Sequence, residues 1–249
     1  LVLSGNNTYT GNTTLNGVTL RVTSSSGLST GSLAYGASGG VLQLGGNGIT
    51  LNNAIVLGSS VRTINVMDNS ALIDDTLSGV ISGAGGITIT GGGALKLSGA
   101  NTYTGKTTVS AGTLQFATEK SLYNNTTSKW TAVNLIFQSG ATAAFNVGGT
   151  GEFTSANIDT LKALGTGTGG FESGSFLGLD TTNAAGGFTY ASSIANPNSG
   201  ANALGLAKLG GGTLILTSNS NTYTGGTVVN GGTLAIDGTS GFTAGNGNI

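Results

Sequence analysis

Leu95–Phe116 reads LKLSGANTYTGKTTVSAGTLQF. The same pattern opens the chain from Leu1 as LVLSGNNTYTGNTTLNGVTLRV and returns from Leu214 as LILTSNSNTYTGGTVVNGGTLAI, with one extra residue before Asn221. Aligned on the aromatic residue, the copies place Tyr9, Tyr103 and Tyr223 in register. A single short unit cannot bury its own apolar face, so a repeated one gains a core by stacking on its neighbours. The repeat predicts a solenoid.

Between and within the copies the recurring signal is a pair of large apolar residues two apart, the period of a half-buried strand. Examples are Leu20 and Val22, Leu42 and Leu44, Ile64 and Val66, Ile87 and Ile89, Leu95 and Leu97, and Leu114 and Phe116. The residues between them, including Arg21, Gln43, Lys96 and Gln115, are expected to face solvent. Many doublets return after some 19 to 23 residues, with Gly, Asn or Ser between. That spacing suits coils of two or three short strands, stacked in parallel at about 4.8 Å, so roughly ten coils would form an elongated rod some 50 Å long. The expected fold is all-β, a parallel β-helix (β-solenoid) over residues 1–249.

Composition agrees. Only 7% of the 249 residues are charged and 47 are Gly, where an average soluble domain has about 25% charged residues. Chains of Val, Ile, Leu and Thr punctuated by Gly and Asn favour strands and tight turns over helices. Eight basic and nine acidic residues, scattered singly, give a net charge of −1, which argues against nucleic acid as a partner. With no Cys, disulfide scaffolds and thiolate metal sites are excluded. With no His, the commonest general base and metal ligand are missing. No apolar run reaches the ~20 residues of a membrane span, so no direct membrane insertion by this segment is expected. Both ends fall inside repeat-like sequence. The expectation is an internal slice of a longer protein, or a subunit whose end coils pair with another copy, end to end, into a filament.

The segment 148–207 breaks the rhythm. It holds Pro197 and the four acids Glu152, Asp159, Glu172 and Asp180, and its stretch SANIDTLKALG has the pattern of a short helix capped by Ser155 and ended by Gly165. It reads as an irregular insertion or decorated coils on the solenoid.

Several stretches resemble chemical motifs and fail on spacing or context. GANTYTGKT (99–107) has Ala100 where a P-loop needs its first Gly, and no helix pattern follows. GTGTGG (165–170) lacks the flanking strand and helix of a dinucleotide fold. GASGG (36–40) places Ser38 in a nucleophile-elbow pattern, without a His to complete a triad. GGNGIT at Gly45 lacks the Asp of a calcium-binding nonapeptide. Asp74 and Asp75 are adjacent, so on a strand they point to opposite faces. Loops in 148–207 could bring two of its four acids to the separation a glycosidase uses. Tyr35, Tyr123, Trp130 and Tyr190 would form a sugar platform only if they converged. No catalytic, cofactor-binding or metal-ligating residue is assigned.

GAGGITITGGGALKLSGANTYTGKTTVSAGTLQF (83–116), with its variants around Tyr9 and Tyr223, resembles the autotransporter-associated β-strand repeat, also called the passenger-associated transport repeat, of bacterial surface and secreted proteins. The three copies cover about a quarter of the chain. The resemblance implies a right-handed parallel β-helix outside the cell, on the bacterial surface or secreted, with a role in secretion, folding or stalk formation and no catalytic motif to transfer. Absence of Cys fits a chain that crosses an outer membrane unfolded. The expected function is a non-enzymatic structural module, a stalk or fibre segment without cofactors. The alternatives are an adhesin taking a host or glycan ligand through 148–207, or a polysaccharide-cleaving enzyme. Within the repeat, Asn7, Asn101 and Asn221 are expected to bond backbone at a turn, Tyr9, Tyr103 and Tyr223 to cover the neighbouring coil, and Gly11, Gly105 and Gly225 to permit the bend.

Overall fold

The computed structural model describes residues 1–67 and 75–237. Asp74 and the closing GFTAGNGNI (241–249) lie outside the described residues. The chain is all-β in character and divides into two compact units. One comprises Leu1–Phe116 with Lys120–Lys129, and the other Ala117–Glu119 with Trp130–Ile249.

In the first unit three sets of short strands each pair in parallel. The first set runs Val2–Leu3, Val18–Val22, Gly40–Leu44, Arg62–Val66, Ile87–Thr90 and Thr107–Val109. The second runs Thr13–Leu15, Leu33–Tyr35, Ile55–Val56 and Ile81–Ser82. The third runs Thr50–Leu51, Asp75–Leu77, Ala94–Leu97 and Thr113–Phe116. Register steps follow the doublet spacing: Arg21 pairs with Val2, Gln43 with Arg21, and Thr107 with Ile87.

Register turns the doublets into columns. Leu20, Leu42, Ile64, Ile89 and Val109 stand one above another, all buried. Leu51, Leu77, Leu97 and Phe116 do the same in the third set. Each such side chain contributes about 1.5–3 kcal/mol by leaving water, which is where the unit's cohesion lies. On the opposite face of the first set Gln43 donates to Asn65 (3.1 Å), and Asn65 to Thr90 Oγ1 (3.0 Å). Arg21, Gln43 and Lys96 are half-exposed as expected, whereas Gln115 is buried. Alternation sets the face of a side chain, but its exposure depends on what covers that face.

The second unit uses the same pairing with longer excursions. Leu135–Phe137 lies beside Gly169–Phe171 in parallel, and Gly165–Thr166 adds an antiparallel pair to the latter. Thr142–Asn146, Phe176–Asp180, Gly205–Leu209 and Thr227–Val229 form a parallel series. Phe188–Tyr190, Thr213–Leu216 and Thr233–Ile236 form another. Phe137 pairs with Phe171, a step of 34 residues, their rings 4.7 Å apart. The segment 148–207 thus supplies strands to these series as well as irregular structure. Its helix is Ser155–Lys162, and Ile158 and Leu161 bury its inner face.

The helix is capped by Thr154 and not by Ser155: Thr154 Oγ1 accepts from Asn157 N–H while Asn157 Oδ1 accepts from Thr154 N–H (2.7 Å). Thr154 and Asn157 stand three apart and complete a reciprocal capping box, a pairing that Ser155 and Ile158 would not offer. Gly165 does not end the helix; it opens the strand Gly165–Thr166.

Candidate functional site

The three copies of the repeat build the same local device. In each, the tyrosine hydroxyl meets the hydroxyl of the threonine four residues on: Tyr9 with Thr13 at 2.8 Å, Tyr103 with Thr107 at 2.6 Å, and Tyr223 with Thr227 at 2.6 Å. The bond closes the chain over the glycine between them. Thr13, Thr107 and Thr227 escaped the sequence reading as partners, though the spacing Tyr-x-Gly-x-Thr is the same in all three copies.

The asparagines tie one coil to the next. Asn7 donates to the Gly27 carbonyl (2.8 Å). Asn101 is fully buried, accepts from Ile81 N–H (2.9 Å) and donates to Ser121 C=O (2.8 Å). Asn221 accepts from Ile194 N–H (2.8 Å) and donates to Ser218 C=O (3.0 Å). Buried amides and carbonyls at a corner would otherwise go unpaired.

Two of the three glycines, Gly105 and Gly225, are required for space. Gly105 and Gly225 do not have positive φ. A methyl group on Gly105 would stand 2.5 Å from the backbone of Gly85 and Gly86, and one on Gly225 2.5 Å from Leu204 and Gly205. At Gly11 nothing lies within 4 Å of that position. At Gly105 and Gly225 the expected bend is a close approach to backbone about twenty residues earlier in the chain.

Each copy is assembled locally. Tyr9 and Tyr103 belong to the first unit and Tyr223 to the second, and Tyr9 is 38% exposed where Tyr103 is 1%. Tyr103 also packs on Tyr123, ring centroids 5.0 Å apart, and the Tyr123 hydroxyl reaches Thr107 Oγ1 and Gly105 C=O, both at 3.0 Å. Burial pushes the Tyr123 phenol up to about 12, and raises those of Tyr103 and Tyr223. The set is a structural brace with no reactive group.

Three of the four acids of 148–207, Glu152, Asp159 and Asp180, are likewise occupied. Glu152 accepts from Gly149 N–H (2.7 Å), Asn183 (2.6 Å) and Asn146 (3.3 Å). Asp180 accepts from Thr182 N–H (2.8 Å). Asp159 accepts from the Tyr190 hydroxyl (2.6 Å) and Ser192 (3.0 Å) and pairs with Lys162 (2.8 Å). Burial works against the Asp159 charge, but the bonds from Lys162, Tyr190 and Ser192 outweigh it and hold the carboxyl below its ordinary range. Burial and Asp159 together push the Tyr190 phenol far up. Tyr35, Tyr123, Trp130 and Tyr190 are all buried, so they offer no sugar platform. Among the described residues no three His, Cys, Asp or Glu side chains gather to hold a metal ion, and no helix is long and apolar enough to cross a membrane.

Lys208 escaped notice in the sequence. Register places it in the buried column of Phe145 and Leu179, and its ammonium donates to the carbonyls of Leu209 (2.6 Å), Gly210 (2.7 Å) and Gly231 (3.0 Å). Burial lowers its pKa, and the Asp180 charge opposes the shift.

The passenger-associated-transport-repeat model matches residues 1–22, 87–116 and 206–236, the stretches that carry the Tyr–Thr brace. A relative from Brucella suis biovar 1 (strain 1330), the adhesin BmaC autotransporter, is 34% identical over 249 residues; the match covers 92% of this chain and 6% of that protein's length. No solved structure matches the chain.

Proposed function

The chain belongs to the passenger-associated-transport-repeat proteins of the bacterial surface, and on that premise we propose that it is a non-enzymatic structural module, a right-handed β-solenoid segment of a surface-exposed or secreted stalk. The observation that carries this reading is the registered parallel stacking of apolar columns, with a repeat whose asparagine bonds backbone and whose tyrosine bonds the threonine four residues on. Such a unit extends a chain outward without presenting chemistry. The absence of His, and the commitment of Glu152, Asp159 and Asp180 to internal bonds, weigh against polysaccharide cleavage.

The experiment is deletion of residues 1–116 from the full surface protein, with display measured by antibody and projection by electron microscopy. A stalk segment predicts retained display and a projection shortened by about 4.8 Å for each coil removed. Loss of display with no change in reach would assign the segment to export instead.

A second reading is supported by a specific feature of 148–207. That segment carries a cavity of mixed polar and apolar lining beside Lys162, and the matched relative is an adhesin. In this reading the coils hold a ligand-binding decoration away from the cell.

A further inference from the structure

At the C-terminal end of the helix Ser155–Lys162 the second unit has a cavity of about 310 Å3, lined by Lys162, Ala163, Ser193, Ala195, Pro197 and Asn198 among others. That volume is at the small end of ligand sites, which begin near 300 Å3. Its wall combines three apolar side chains with hydroxyl, amide and ammonium groups.

Charge decides which ligand suits it. Lys162 is already compensated by Asp159 at 2.8 Å, and the end of a helix carries a partial negative charge. A sulfate or phosphate would meet that negative charge without a free cation to balance it. An uncharged polyol meets both kinds of group productively. Its hydroxyls donate to Asn198 Oδ1 and accept from Lys162, whose ammonium has three protons, bonds Asp159 Oδ1 and Ser193 C=O (2.5 Å) and lies 5.0 Å from the centre of the Tyr190 ring. Its carbon face can rest on Ala163, Ala195 and Pro197.

The far wall is held in advance. Asn198 and Ser199 have φ of 55° and 54° and Gly200 of 92°, a left-handed run that is costly outside glycine. It is fixed by bonds from Gly200 N–H and Asn202 N–H to Pro197 C=O (3.2 and 3.3 Å). Asn198 donates to Asn202 Oδ1 (3.1 Å), leaving its own Oδ1 available. Asn196 serves as floor, its amide committed to Thr224 Oγ1 (2.9 Å) and to the N–H groups of Leu204 and Thr224 (both 3.0 Å).

We propose that this cavity binds one pyranose residue of an uncharged glycan. The proposal rests on the second reading above, and deepens it by naming the ligand class and the place.

The test is NMR titration of the isotope-labelled 249-residue chain with methyl β-galactopyranoside, methyl α-mannopyranoside, methyl β-glucopyranoside and, separately, sodium sulfate. At least one glycoside should shift the Ala163, Ala195 and Asn198 amides saturably while sulfate does not. Ala195 is exposed, so Ala195→Trp should fill the cavity, keep the native circular dichroism and weaken binding at least tenfold. Lys162→Met should weaken it comparably. No saturable shift from any glycoside, binding undiminished in Ala195→Trp, or tighter binding of sulfate would each overturn the proposal. Adherence of bacteria displaying the full-length protein separates the two levels. Glycoside binding lost in Ala195→Trp with adherence unchanged refutes the adhesin reading and leaves the site standing. Adherence without any glycoside shift removes the site alone.

Discussion

The Tyr103 hydroxyl lies 2.6 Å from the Thr107 hydroxyl, and the same threonine oxygen lies 3.0 Å from the hydroxyl of Tyr123. Both of the first pair are buried, whereas the equivalent Tyr9–Thr13 pair is exposed. A buried hydroxyl left without its partner costs about 1–3 kcal/mol, and one that water can satisfy costs little. Tyr103→Phe removes one of two bonds to Thr107, which keeps Tyr123, and should lower unfolding stability by about 0.5–1.5 kcal/mol in urea titration, and Tyr9→Phe should leave it within about 0.5 kcal/mol. Equal effects at the two sites would show that the brace is local and indifferent to stacking.

Gly105 and Gly11 occupy the same place in the repeat but face different neighbours. A methyl group at Gly105 collides with Gly85 and Gly86 backbone, which unlike a flexible side chain cannot move aside. Gly105→Ala should cost about 3 kcal/mol or more, at the upper end of overpacking effects, while Gly11→Ala should be close to neutral. Thermal unfolding followed by circular dichroism measures both. A tolerated Gly105→Ala would mean that the coils are free to separate there.

The buried phenols set an alkaline limit. Burial first, and the Asp159 carboxylate in the case of Tyr190, hold the folded-state pKa values of Tyr103, Tyr123, Tyr190 and Tyr223 above the ordinary value, to about 12 for Tyr123. Each group binds its proton more tightly folded than unfolded. Its contribution is complete below the unfolded value of about 10 and is lost as pH rises through the folded values. Stability should be flat from neutral pH to about 10 and fall steeply toward 12, with the tyrosinate absorbance rising in step with loss of β-structure. Ionisation of all six tyrosines near pH 10 in the native protein would contradict this.

Lys208→Met tests a buried cation. Methionine keeps the stem in the column of Phe145 and Leu179 but leaves the carbonyls of Leu209, Gly210 and Gly231 without their donor. The expected loss is about 1–3 kcal/mol in denaturant unfolding. A variant as stable as the parent or more so would mean that desolvating the ammonium costs as much as its three bonds return.

Much of the fold was legible because the strands are short and their alternation is strict. Leu20, Leu42, Ile64 and Ile89 announce a buried column by their own spacing. The exceptions have local causes. Gln115 sits at an outward position and is nevertheless buried; Thr154 displaces Ser155 as cap because Asn157, three residues on, completes the box. The 34-residue step from Phe137 to Phe171 hides the pairing of 148–207 from any search at 19 to 23 residues. The cavity beside Lys162 was illegible for a similar reason: Ala163, Ser193 and Asn198 share no motif and meet through the path of the chain.

By itself the sequence determined the strands, whose alternation is set by neighbours two residues away, and it holds the Tyr-x-Gly-x-Thr spacing of the brace, whereas the corner asparagines find partners some twenty residues off. The stacking decided the rest. Tyr9 and Tyr103 stand in the same NTYTG, and Gly11 and Gly105 in the same turn, yet one of each pair is open and the other enclosed. Exposure and close approach depend on residues some twenty positions along the chain, whose identity the repeat does not carry.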